Sequence, residues 1–74
     1  MTDEPAGATG HLTAREREVL ELLARGLRHD EIGVRLGIGG ETVRTHIRNA
    51  SERLGAANAT QAVAIAIRGG LIDA

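Results

Sequence analysis

His29-Asp30-Glu31-Ile32-Gly33-Val34-Arg35-Leu36-Gly37-Ile38-Gly39-Gly40-Glu41-Thr42-Val43-Arg44-Thr45-His46-Ile47-Arg48-Asn49-Ala50-Ser51-Glu52-Arg53-Leu54 is the stretch that decides the fold. Ile32 and Leu36 stand four apart, the spacing of one helix face, and predict a short helix over residues 29–36. Gly37 can take the left-handed conformation of a tight turn, and Ile38 reads as a buried turn residue. Val43, Ile47, Ala50 and Leu54 then form the inner stripe of a longer helix over about residues 41–54, which leaves Arg44, Thr45 and Arg48 facing away. Gly33 and Gly37 suit a close crossing and a sharp turn. Two helices joined in this way form a helix-turn-helix, whose second helix can enter a major groove while the first braces it across the backbone.

Outward from this unit, Thr13-Ala14-Arg15-Glu16 fits a capping box and opens a helix over about residues 14–25. Its inner stripe is Val19, Leu20 and Leu23, and Gly26 ends it. Residues 1–10 are small and polar, broken by Pro5, Gly7 and Gly10, and read as a flexible leader or linker stump before a domain at 11–74. Gly55 closes the third helix. Asn58-Ala59-Thr60-Gln61 resembles a second cap and starts a fourth helix over about residues 59–68, ended by Gly69 and Gly70. The run Ala62 to Ile67 is too continuously apolar for a helix with one buried face. Ala62, Val63, Ala66 and Ile67 continue the core stripe. Gln61, Ala64, Ile65 and Arg68 stay outside, a surface on which two copies could pair about a two-fold axis.

The bulk composition is consistent with an all-α domain. The chain has 74 residues, no cysteine and no aromatic residue, so its core must come from Leu, Ile, Val and Ala in closely packed helices. His11, His29 and His46 are too scattered for a metal cluster. No nucleophile and base pair, phosphate-cradling loop or carboxylate constellation stands out, so neither an enzyme nor a cofactor is expected. The formal net charge of −1 runs against the positive excess common in nucleic-acid binders, so charge placement must matter more than the total. Neither a secretory segment nor a membrane-spanning run is present, which predicts a soluble cytoplasmic protein with no membrane partner.

Six blocks carry a more specific signal: Leu12-Thr13-x-Arg15-Glu16-x-Glu18-Val19-Leu20, Gly26-Leu27, Glu31-Ile32-x-x-x-Leu36-x-Ile38, Thr42-Val43-Arg44-x-His46-Ile47, Leu54-Gly55 and Thr60-Gln61-Ala62-Val63. In this order and spacing the chain resembles the LuxR-type regulators, also called the NarL/FixJ and GerE type, and is most similar to their small stand-alone GerE branch. The resemblance implies a compact four-helix domain that binds double-stranded DNA and regulates bacterial transcription. It further implies that the third helix reads bases and that the fourth pairs two copies on a two-fold-symmetric site; the small patch on the fourth helix suggests that this pairing is weak without DNA. Carried over by position, Arg44, Thr45 and Arg48 take the base-facing places, with Thr42 and His46 nearer the backbone. Arg can donate two parallel hydrogen bonds to guanine, and the Thr45 methyl can pack on thymine.

Several residues have two readings. Arg44 and Arg48 are either the reading face or a solvated face paired to Glu41 and Glu52. His46 is either a phosphate ligand or a packing residue, and Arg28 and Arg53 are either phosphate contacts at the edge of the footprint or merely solvated. Gly39-Gly40 stands where the family commonly has Ser; Gly40 either brings bare backbone to a phosphate or reflects drift at a tolerated cap. As a function of another class, the same fold could serve as a protein-interaction module contacting RNA polymerase or another regulator.

Overall fold

Four helices, α1 (Ala14–Ala24), α2 (His29–Leu36), α3 (Gly40–Leu54) and α4 (Ala59–Arg68), make up the regular structure of the computed structural model, which describes residues 12–73. The stretch 1–10 read as a leader lies outside the described residues. Among those described there is no strand, and the fold is all-α.

The starts of the helices follow from side-chain chemistry. At α1 the Thr13 hydroxyl accepts from the Glu16 amide at 3.0 Å while the Glu16 carboxylate accepts from the Thr13 amide at 3.1 Å, which satisfies two donors the helix cannot. At α4 the Asn58 side chain accepts from the Gln61 amide at 2.8 Å, and the returning Gln61 carbonyl reaches one residue further back, to the Ala57 amide at 2.6 Å. Only half of such a box exists at α2, where Glu31 accepts from the Arg28 amide at 2.8 Å. At α3 Gly39 provides no side-chain cap at all.

The ends share one device. After α2, Gly37 adopts φ +71°, its amide donates to the Val34 carbonyl, and the Ile38 amide donates to the Gly33 carbonyl at 2.9 Å. This paired closure requires a left-handed residue, and it throws the next side chain back onto the helix. The same pair of bonds recurs after the other three helices, so Leu27, Ile38, Ala56 and Leu71, each following a positive-φ glycine, are returned to the core. In a small domain without aromatics, these turns supply apolar surface that the helices lack.

α3 is central and packs on α1, α2 and α4. Two clusters flank it. One joins Val19, Leu22, Ile32, Val43 and Ile47 and seats α3 against α1 and α2. The other joins Leu20, Ala50, Ala62, Ala66 and Ile72 and seats α4 against α1 and α3. Leu22 is buried although the stripe read for α1 omitted it, while Leu23 is only partly buried between the clusters. The larger correction concerns α4. Ile67 is 39% exposed and does not continue the core stripe. The buried line runs through Ala62 and Ala66, and Ile67 lies about 140° from Ala62 at about 100° per residue. Ile72, delivered by the turn after α4, fills the place instead.

Candidate nucleic-acid interface

Gly33 sets the geometry of the helix-turn-helix. A Cβ at this position would lie 2.7 Å from the Ile38 carbonyl oxygen and 3.7 Å from Gly40 N, so only glycine lets the turn fold back on α2. The close approach is therefore to the turn's own backbone rather than to the body of the second helix. With the turn held and Ile32, Val43 and Ile47 buried beneath it, α3 cannot rotate about its axis without exposing core. Its outer face is fixed by its inner one.

Arg44, Thr45 and Arg48 are all exposed on this outer face. Neither arginine takes part in an ion pair among the described residues, although Glu41 and Glu52 stand at helical spacing from them. Two guanidinium groups with all their donors open thus project from the helix, the arrangement that bidentate recognition needs. Thr42 is exposed on the neighbouring flank and His46 is half-buried there, between solvent and packing. Gly40 is exposed at the first position of α3, where the leading amides have no partner within the helix.

The other two arginines proposed from the sequence are already engaged. Arg28 lies 3.5 Å from Asp30 and 3.8 Å from Glu31, with most of its side chain in solvent, so any anion must compete with two carboxylates. Arg53 has its Nε 3.0 Å from Glu16 Oε1 and donates to Oε2 at 3.3 Å. The Glu16 side chain is only 3% exposed. A carboxylate so buried needs a charged partner, and Arg53 supplies it, tying the last turn of α3 to the first turn of α1. Sequence reasoning missed this pair, yet Glu16 stands in register with Val19, Leu20 and Leu23, and a charge in line with a buried stripe was the available signal.

On α4, Gln61 and Arg68 are exposed and Ala64 and Ile65 are half-buried. The Gln61 side-chain carbonyl is occupied by the cap, accepting from the Ala57 amide. No helix among the described residues is long and apolar enough to cross a membrane, and no cluster of metal-ligating side chains is found among them.

A comparison with known families settles what kind of domain presents this face. The profile described as "Bacterial regulatory proteins, luxR family" matches residues 10–66. The chain belongs to the LuxR family. Among relatives, it is 45% identical over 62 residues to the spore germination protein GerE of Bacillus subtilis, covering 84% of each chain. It is 42% identical over 61 residues to the transcriptional regulatory protein YxjL of the same organism, and 42% identical over 55 residues to the HTH-type transcriptional regulator MalT of Vibrio cholerae. It spans only 28% of YxjL and 6% of MalT. The solved structure of the transcription factor GerE superposes with a TM-score of 0.80 at 39% identity, covering 84% of this chain and 92% of the other. LuxR-family domains of this kind are DNA-binding modules of transcription regulators and not enzymes, and the four-helix fold here is theirs.

Proposed function

We propose that this LuxR-family domain binds double-stranded DNA sequence-specifically as a homodimer and thereby regulates transcription in the bacterial cytoplasm. α3 lies in the major groove with Arg44, Thr45 and Arg48 toward base edges. Thr42, His46 and the Gly40 amide lie toward phosphates, and Arg28 and Arg53 stand at the margins of the footprint. The observation that carries the reading is the unpaired, exposed state of Arg44 and Arg48 beside carboxylates that could have neutralised them. Selection of duplexes from a random pool at two salt concentrations tests it. The expected result is one preferred half-site with an affinity that falls steeply with salt. Arg44→Ala or Arg48→Ala should weaken that binding by about 1–3 kcal/mol per lost base contact, with circular dichroism unchanged. Unchanged affinity in a folded variant would refute the base-reading role.

Dimerisation is assigned to the outer face of α4, formed by Gln61, Ala64, Ile65 and Arg68 and extended by Ile67, whose exposure supports an apolar contact. A face of this size falls well short of the ~1,200 Å² typical of stable interfaces, so pairing is completed on DNA. Ile65→Glu should leave the monomer folded and remove cooperative occupation of two half-sites. A single cooperative step in that variant would exclude α4 as the contact.

A second reading, contact with RNA polymerase or another regulator, is favoured by one observation. Val34 is 84% exposed on α2 among Asp30, Glu31 and Arg35, an apolar side chain with charged neighbours that a protein partner can cover. Val34→Ser should then spare DNA affinity and impair transcription in a reconstituted system.

A further inference from the structure

If α3 reads DNA as proposed above, two exposed carboxylates lie on its reading face, Glu52 toward the C-terminal end of the helix and Glu41 at its leading end. Glu41 is exposed on the first turn of α3 and has neither an ion pair nor a side-chain hydrogen bond among the described residues. Measured from the buried Val43 at about 100° per residue, Arg44, Arg48 and Thr45 stand at about 100°, 140° and 200°, and Glu41 stands at about 160°. It therefore falls inside the sector that the three base-facing residues define, at its leading end. Thr42 and His46 fall outside it, at about 260° and 300° on the flank shared with Arg53. In a helix-turn-helix the N-terminal part of the second helix goes deepest into the groove.

A carboxylate placed there has few tolerable neighbours. Phosphates repel it, as do the N7 and O6 acceptors of guanine and the O4 of thymine, and adenine offers a donor beside an acceptor. The exocyclic N4 amino group of cytosine is the group in the major groove that donates without an adjoining acceptor on the same base. The helix dipole does favour an acid in a first turn, but it acts equally at neighbouring positions and makes no demand on the base sequence.

We infer that Glu41 is a fourth specificity-determining residue, whose carboxylate accepts a hydrogen bond from cytosine N4 at one position of the half-site and penalises every other base there. The near-neutral charge of the chain acquires a use from this. A carboxylate on the reading face lowers affinity for non-cognate duplexes more than for the cognate one, so discrimination is gained without a strongly basic surface.

The test compares base preferences of the full chain with those of Glu41→Ala and Glu41→Gln. Each is measured against the selected duplex and its single-base-pair variants, with circular dichroism as a check on folding. In the parent chain one position should favour cytosine by about 5- to 150-fold. In Glu41→Ala that preference should fall to near unity while the positions read by Arg44 and Arg48 keep theirs. Glu41→Gln should move the preference toward adenine, with which a Gln side chain pairs through N6 and N7. If both variants tighten binding to all duplexes by one common factor, or change nothing, Glu41 acts as a bulk charge or a helix-end group and the inference is overturned. If the parent chain shows no preferred half-site, the DNA-reading itself falls and takes this inference with it.

Discussion

The two hydrophobic clusters on either side of α3 are built on different plans. The cluster that seats α3 on α1 and α2 consists of branched side chains, Val19, Leu22, Ile32, Val43 and Ile47, which interlock and fix the rotation of the helix. The cluster that seats α4 combines three fully buried alanines, Ala50, Ala62 and Ala66, with Leu20 and Ile72. Helices that meet through alanine approach closely and have no room to give, whereas a branched cluster is filled by volume and fails when volume is removed. The seating of α3 is thus sensitive to truncation beneath it, and that of α4 to enlargement. The first cluster fixes which face α3 turns outward. The second decides how far α4 stands out from the body.

That contrast can be broken from the largest effect downward. Ile32→Ala, which removes the centre of the branched cluster, should lower stability by about 2–5 kcal/mol. In a domain of this size each kcal/mol corresponds to about 4–8 °C in melting temperature, so thermal unfolding will show it directly. Ala66→Leu should cost about 1–3 kcal/mol by overpacking, and it should displace α4, so that cooperative DNA binding suffers more than single half-site binding. If Ala66→Leu melts like the parent chain, the alanine contact is looser than its burial indicates. Arg53→Ala leaves Glu16 buried without a cation. About 1–2 kcal/mol is expected, less than for a wholly buried pair because the Arg53 side chain is 43% exposed. Arg53→Lys should recover only part of this, and equal loss of affinity at low and high salt would argue that Arg53 acts through α1 rather than on phosphate. The smallest effect belongs to the uncapped start of α3. Gly39→Ser should raise stability by a few tenths of a kcal/mol, read as a small rise in denaturation midpoint.

Much of the architecture was legible because small helical domains announce their boundaries in local chemistry. The Thr13 and Glu16 box, the Asn58 cap and the glycines at 26, 37 and 55 each act within a few residues, so their outcome hardly depends on the rest of the chain. The inner stripe of α3 was legible for a related reason. Val43, Ile47 and Ala50 leave only one way to bury themselves, and this same choice turned Arg44, Thr45 and Arg48 outward.

What escaped the sequence depends on partners distant along the chain. Ile67 looked like core, since an apolar residue next to a buried stripe is ambiguous until its neighbours are placed. Only the turn that brings Ile72 back beneath α4 made its burial unnecessary. Arg53 looked like a free cation at the edge of a footprint, and it took the packing of α1 against α3 to set it beside Glu16, 37 positions away. The sequence by itself therefore determined the helices, their ends and the face that α3 exposes, because periodicity and capping are local properties. The tertiary structure decided which charges are spent inside the fold and which are left to act. Coulomb energy and burial depend on distances in space, and those exist only once the helices have met.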